Sequence, residues 1–182
     1  MYNPNLILIS GGPGSGKTTL LHELGGLGFL CAPEVARQVI QEQVRLGGEG
    51  LPWRDREVYT RMMLQRSIAS YLRRASSQAP VFFDRGIPDT LCYARLIGIA
   101  DESSIKDACR CYRYAPIVFL GPPWKEIYAT DAERKQDFAE AERTFEQMTE
   151  VYKECGYEIS ELPKRAAKER ASFVLQHLQI RV

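Results

Sequence analysis

The chain has almost no net charge: 24 lysines and arginines stand against 23 aspartates and glutamates, a formal +1. Without a global positive field, a nucleic acid backbone is not a favoured partner, although a local basic cleft stays open. Histidine is scarce, with only His22 and His177, and the five cysteines at 31, 92, 109, 111 and 155 are odd in number, scattered and without a CxxC pair. That pattern argues against a zinc site and a disulfide framework, and the thiols read as buried groups in a reducing compartment. No stretch approaches the roughly 20 apolar residues that span a bilayer, and the N-terminus lacks a basic segment followed by a long apolar run. The expectation is a cytoplasmic protein without a membrane span. Internal repeats and low-complexity segments are also missing. What remains is a globular composition, 45% hydrophobic and 26% charged over 182 residues. A chain of this length fits one domain, 1–182, able to bury about 70% of its unfolded surface.

Against this plain background one stretch stands out. Residues 11–18 read GGPGSGKT and follow the apolar run Leu6, Ile7, Leu8, Ile9. This is the phosphate-binding pattern GxxxxGK[ST], in the strand-then-helix context that the pattern needs. Glycines let the backbone turn with positive φ and approach a ligand closely, so that successive N–H groups form an anion nest. The helix beginning near Lys17 adds its positive N-terminal end. Gly11, Gly12, Pro13, Gly14, Ser15, Gly16, Lys17, Thr18 and Thr19 are therefore the candidate nucleotide-binding residues. Lys17 supplies a charge for β and γ phosphates, and the Thr18 hydroxyl is a hard oxygen ligand for Mg²⁺.

The rest of the chain alternates strands with helices. Leu6–Ile9, Phe29–Ala32, Val81–Asp84 and Ile117–Leu120 are short and largely apolar, as strands buried on both faces of a parallel sheet are. YEISEL at 157–162 alternates, which suits a less buried strand nearer the edge. Helical patterns cover Lys17–Leu24, a segment with Pro33 in its first turn, about Arg54–Ala75, the segment around Leu91–Ile99, a short one ending at Tyr112, Phe138–Cys155, and a last one opened by Pro163. The arginines at 54, 56, 61, 66, 73 and 74 read as a solvated face. Five strands alternating with helices imply an α/β protein, a three-layer αβα sandwich with a mainly parallel sheet.

Three strand ends carry the candidate chemistry. In an open α/β sheet, ligands bind at the carboxyl ends of the strands. The phosphate loop, Glu34 and Asp84 all fall there. Asp84 is a candidate for Mg²⁺, directly or through water, with a helix N-cap as its bland alternative. Glu34 suits a substrate hydroxyl and its proton, and Arg37 a substrate anion, against a simple intrahelical ion pair between them. Arg85 and Asp89 pose the same choice. The polar stretch after the fourth strand, about 124–137 with Arg134 and Lys135, is placed to close as a lid, or is an ordinary exposed loop. Together these groups would supply charge neutralisation, a metal, positioning and water exclusion for phosphoryl transfer.

GGPGSGKTTL, PEVAR, VFFDRGIPD, the PPW stretch with Tyr128, Asp131 and Arg134, and GYEISELP together resemble the AAA-type P-loop ATPase domain family, which includes the nicotinamide riboside kinase domain of NadR-type proteins. The resemblance covers about Leu6 to Leu178, and the PEVAR and DRGIPD pair carries most of its specificity. It implies a P-loop NTPase fold of the small-molecule kinase type, strand order 2-3-1-4-5, and Mg-nucleotide at Lys17 and Thr18. By similarity, Lys17, Glu34, Asp84 and Arg134 become catalytic candidates, with Thr18 and Asp84 for the metal, Glu34, Arg37, Arg85 and Asp89 for the acceptor, and the nucleobase near Leu162 and Pro163.

Two readings follow. The first is a kinase that uses ATP, or another nucleoside triphosphate, and Mg²⁺ to phosphorylate a hydroxyl of a small nucleoside-like metabolite. The second is a nucleotide-dependent switch with slow hydrolysis and a protein or lipid partner. A standard GTPase lacks support, because the only asparagines are Asn3 and Asn5, leaving no NKxD, and Asp84 is not followed by a DxxG spacing. No HRD sequence exists for a protein kinase, and no room for the extra helical domain of an AAA+ motor. A homo-oligomer is compatible with either reading.

Overall fold

Leu6–Gly11 forms the first strand, β1, and all six residues are buried. Total burial of a strand requires cover on both faces, which only helices on each side of a parallel sheet provide. The computed structural model of the protein describes residues 1–127 and 138–180. Their elements run β1, α1 (Lys17–Gly26), β2 (Leu30–Ala32), α2 (Val35–Leu46), α3 (Arg56–Leu72), β3 (Val81–Asp84), α4 (Ile87–Leu96), α5 (Ser103–Cys111), β4 (Ile117–Gly121), α6 (Phe138–Glu154), β5 (Glu158–Glu161) and α7 (Ala167–His177). The sheet order is β2-β3-β1-β4-β5, and every pairing is parallel.

The period-2 geometry of β1 divides the core. Leu6 and Leu8 point into one cluster with Val81, Phe83, Val118 and Leu120, closed by α3, α4, α5 and α6. Ile7 and Ile9 point the other way with Phe82 and Phe119, against Leu20, Leu21 and Leu24 of α1 and Ala171, Val174 and Leu175 of α7. A third small cluster, Val39 with Tyr59 and Met63, fastens α2 to α3 beyond the sheet. Among the described residues no helix is long and apolar enough to cross a membrane, and all five cysteines are free thiols.

Several boundaries differ from the sequence expectation, each for a local reason. α1 runs through Gly25 and Gly26, because the left-handed residue that ends it is Gly28, φ 91°, which lets Phe29 N–H reach the Leu24 carbonyl. Pro33 lies before α2 and not in its first turn; Glu34 is the N-cap. α3 starts at Arg56 because the Asp55 side chain accepts from Val58 N–H at 2.9 Å. α7 starts four residues after Pro163: a turn occupies 163–165, and Glu169 reaches back to Ala166 N–H at 3.3 Å. Val44 of α2 and Leu72, the last residue of α3, are exposed although apolar. Arg74, assigned to a solvated face, is half-buried, donates to the Ser70 carbonyl and lies 5.7 Å from the Phe83 ring centroid.

At its carboxyl end β1 approaches β4 so closely that a side chain has no space. A Cβ on Gly11, φ 137°, would lie 2.6 Å from the Gly121 carbonyl oxygen, whereas one on Gly25 would meet nothing within 4 Å. Gly11→Ala should therefore destabilise the protein by about 2–4 kcal/mol in urea unfolding. Gly25→Ala should be neutral or stabilising by up to about 1 kcal/mol. Equal effects of the two substitutions would contradict this packing.

Candidate active site

The loop between β1 and α1 has glycines with positive φ at 11, 14 and 16, and it closes on its own lysine. Lys17 is buried; its Nζ donates to the carbonyls of Gly11 at 2.7 Å and Gly12 at 2.9 Å, and lies 3.3 Å from Ser15 Oγ. Burial, followed by the charge of Arg85, lowers its pKa to about 7, against the opposing pull of Asp84, Glu34 and Asp89. Ser15 Oγ donates to the Gly12 carbonyl at 2.9 Å and Thr19 Oγ1 to the Gly16 carbonyl at 2.9 Å, so both hydroxyls brace the loop. Thr18 is exposed and borders an open groove of about 570 Å³ that Asp84 also lines.

Asp84 ends β3 and pairs in register with Ile9, two residues before Gly11. Burial raises its pKa, and Lys17 offsets that only in part. Its Oδ1 is buried with no hydrogen-bond partner. Arg85 follows in a left-handed conformation, φ 69°, its N–H donating to the Ile9 carbonyl at 3.0 Å. The turn aims its guanidinium back along the sheet edge. There Nε lies 3.1 Å from Glu34 Oε1 as an ion pair without hydrogen-bond alignment, and Nη1 lies 3.7 Å from Asp89 Oδ1. Burial opposes ionisation of Glu34, but Arg85, Lys17 and Arg37 together hold its pKa below the ordinary value. Arg37 is 3.9 Å from Glu34 and mostly exposed, on the outer groove. The main partner of Glu34 is thus Arg85, from a different strand end.

Asp89 is a hub. Oδ1 accepts from Ser10 Oγ at 2.5 Å, and Oδ2 accepts from Gly86 N–H at 2.7 Å and Tyr152 Oη at 2.6 Å. It joins the end of β1, the start of α4 and the last turn of α6. The carboxylate that caps α4 is consequently Asp89, and Asp84 is left free of that role. Burial, then the Asp89 charge, pushes the Tyr152 hydroxyl well above its usual pKa, so it stays a donor.

Between α2, α3, α4 and α6 lies a cavity of about 200 Å³. Glu34, Asp84 and Arg85 form its charged end beside Pro13 of the loop; Tyr59, Tyr93, Met63, Met148 and Cys92 give apolar walls, with Ser67, Thr90 and Thr144 as hydroxyls. Tyr59 and Tyr93 meet edge to face with centroids 5.4 Å apart. Glu34 and Asp84 border both this cavity and the outer groove.

The structure thus gathers the loop, Glu34, Asp84, Arg85 and Asp89 at one sheet edge, and sets Arg37 outside the cavity, on the outer groove. Arg134 and most of the 124–137 stretch lie outside the described residues. Ser10 and Tyr152 were not singled out for the site: Ser10 was signalled only as a hydroxyl ending an apolar strand, and Tyr152 lay hidden in a helical apolar stripe.

A five-stranded parallel sheet in this order, with a glycine-rich loop after its central strand, is the fold of P-loop small-molecule kinases. The profile of an AAA domain family matches residues 6–170. The chain belongs to that family. It is similar in structure to NadR in complex with NR (TM-score 0.72, 18% identity, 97% of this chain and 52% of that one). It is also similar to thymidylate kinase from Ehrlichia chaffeensis (0.63, 19%, 96% and 98%) and to deoxyadenosine kinase from M. mycoides with bound dATP (0.57, 15%, 96% and 99%). The chain spans about half the length of the NadR structure it matches. None of the curated proteins matches it.

The residues present fit a magnesium ion. Among the described residues no group of three or more His, Cys, Asp or Glu forms a metal cage. Mg²⁺ rarely uses one, preferring one or two protein oxygens with phosphates and water. The unpartnered Asp84 oxygen and the Thr18 hydroxyl on the same groove offer such a pair.

Asp84 carries a stability cost that follows from its raised pKa. The unfolded carboxyl ionises near its ordinary value of 3.8, the folded one higher. Stability is therefore lost as pH rises between the two values, and the loss is complete above the folded one. Asp84→Asn should be more stable than the parent at neutral pH, on the order of 1 kcal/mol, and the difference should vanish at pH 3. Thermal melts that show Asp84→Asn less stable at neutral pH would refute this.

Proposed function

We propose that the protein is a Mg-ATP-dependent phosphotransferase acting on a hydroxyl of a small, nucleoside-like metabolite. The observation that carries this is a cavity beside the phosphate loop whose carboxylates, Glu34 and Asp84, also line the groove bordered by Thr18. Hydrolysis or switching needs one ligand site, whereas transfer to an acceptor needs two that share a boundary. Glu34 and Asp84 are that boundary, with Arg85 on its cavity side.

In this reading the loop amides and Lys17 hold the β and γ phosphates, and Thr18 and Asp84 hold Mg²⁺, which when bound supplies charge neutralisation for the transferring group. Glu34 accepts the hydrogen bond of the acceptor hydroxyl and then its proton. Its depressed pKa keeps it ionised at neutral pH. Weak basicity suffices, because phosphoryl transfer depends on positioning and electrostatics more than on proton abstraction. Arg85 orients Glu34 and faces the incoming acceptor. Asp89, with both oxygens engaged, fixes the floor of the acceptor cavity. The lid role of Arg134 rests on its place in the polar stretch that follows the fourth strand and on the family resemblance. Aromatic walls with a few hydroxyls suit a planar ring carrying polar groups, and the neighbours with NR and dATP bound support that class.

The test is a screen of nucleosides and small alcohols with labelled ATP. A phosphorylated acceptor should appear, and Glu34→Gln should lower kcat by about 100-fold or more while ATP binding persists. Transfer to water alone across the screen, unaffected by Glu34→Gln, would favour a nucleotide-dependent binding protein.

Lys17 adds a pH signature. With a pKa of about 7 in the ligand-free loop, it is largely neutral at pH 8 to 9, and a bound triphosphate draws it back to the charged form. Binding then takes up a proton, and affinity falls by up to about tenfold per pH unit above 7. Calorimetry in buffers of different ionisation enthalpy should register the uptake. Proton-neutral binding across that range would show that Lys17 is already charged in the free loop.

A further inference from the structure

Arg170 of α7 is 1% exposed, the largest of the fully buried side chains, and among the described residues it forms no salt bridge. A buried guanidinium without a carboxylate is costly, and burial alone lowers its pKa. Among the described residues, all of its side-chain hydrogen bonds go to the phosphate loop. Nη1 donates to the Gly16 carbonyl at 3.0 Å and Nη2 to the Ser15 carbonyl at 2.9 Å, while Nε is buried without a partner. From the other side Trp124, after β4, places its ring centroid 5.9 Å from the guanidinium carbon. The absence of a side chain at Gly16 makes this approach feasible, since a Cβ there would sit 2.4 Å from Nη1.

The two carbonyls define two peptide planes. In a trans peptide the C=O and the following N–H point in opposite directions, and among the described residues there is no cis peptide bond. Drawing the Ser15 carbonyl toward α7 turns the Gly16 N–H away from it. Drawing the Gly16 carbonyl the same way does so for Lys17 N–H. These are amides at a helix start, without acceptors within the helix, and they are the donors expected to cradle phosphate. The guanidinium also polarises both peptides, strengthening the N–H dipoles at their far ends. Because no carboxylate neutralises it, its charge adds to the positive field of the loop.

We infer that Arg170 is a positioning residue for the nucleoside triphosphate: from behind the phosphate loop it locks the Ser15–Gly16 and Gly16–Lys17 peptides with their N–H groups facing the ligand. It touches no ligand itself. The inference rests on the phosphate-binding reading of the loop, and each is tested by a different comparison.

Mg-ATP is titrated into the full chain and into Arg170→Met and Arg170→Lys, with thermal melts and amide NMR spectra of each. The wild-type protein should bind Mg-ATP with downfield shifts of the Gly16 and Lys17 amide protons. Wild-type protein that binds no nucleoside triphosphate would remove the phosphate-binding reading, and this inference with it. If the wild type binds, folded Arg170→Met should bind at least roughly tenfold more weakly, without the two amide shifts. Arg170→Lys, which retains charge but not the fork, should lie between. A purely structural arginine would lower the melting temperature and leave the affinity of the folded fraction and the amide shifts unchanged, and that result would overturn the inference. Should Arg170→Met fail to fold, Arg170→Lys decides: wild-type affinity with altered amide shifts or with unaltered ones would each refute locking by the fork.

Discussion

The site is governed by the expense of burying charge. Lys17 and Arg85 lie at one sheet edge with Glu34, Asp84 and Asp89, two cations against three carboxylates, and the expense is met unevenly. Asp89 is fully hydrogen-bonded, Glu34 is paired with Arg85, and Lys17 rests on backbone carbonyls. Asp84 is left with a buried oxygen that nothing satisfies. An arrangement short of one positive partner at that oxygen is matched to a cation and a polyanion arriving together. Stability is forgone where ligands are expected to restore it.

The backbone makes the cluster possible. Parallel pairing brings the carboxyl ends of β1, β2 and β3 to one edge, so residues 11, 34 and 84, far apart in sequence, become neighbours. The left-handed turn at Arg85 then sends a side chain sideways along the edge toward Glu34, where an ordinary extended residue would have left the sheet. Asp89 holds this turn from the next helix, and through Tyr152 it ties the turn to α6, which also contributes Thr144 and Met148 to the cavity wall. One carboxylate thereby sets the relative positions of the phosphate loop, the arginine and the cavity.

Much of this was legible in the residue pattern. The apolar runs gave the first four strands to within two residues, the alternating YEISEL gave an edge strand, and the GxxxxGKT spacing gave the loop; β2, expected to be buried on both faces, is instead the other edge of the sheet, with Leu30 exposed. Helix ends were less legible, because they depend on single side chains such as Asp55 and Glu169 whose capping competes with nearby glycine and proline signals. The pairing of Glu34 was not legible either. Its near neighbour Arg37 is the obvious partner by helical spacing, yet Arg85 is closer, by 3.1 Å against 3.9 Å.

Sequence by itself determined the layer architecture, the glycine-rich loop and the residue types at the strand ends, since these follow from local periodicity and backbone freedom. Tertiary structure alone decided the cavity, the hub at Asp89 and the role open to Arg170. Nothing in the sequence separates Arg170 from the other cations of 164–170, and only the packing of α7 against the loop makes it the least exposed charged side chain among the described residues. Burial and partnership are properties of the assembled core, which no window of sequence contains.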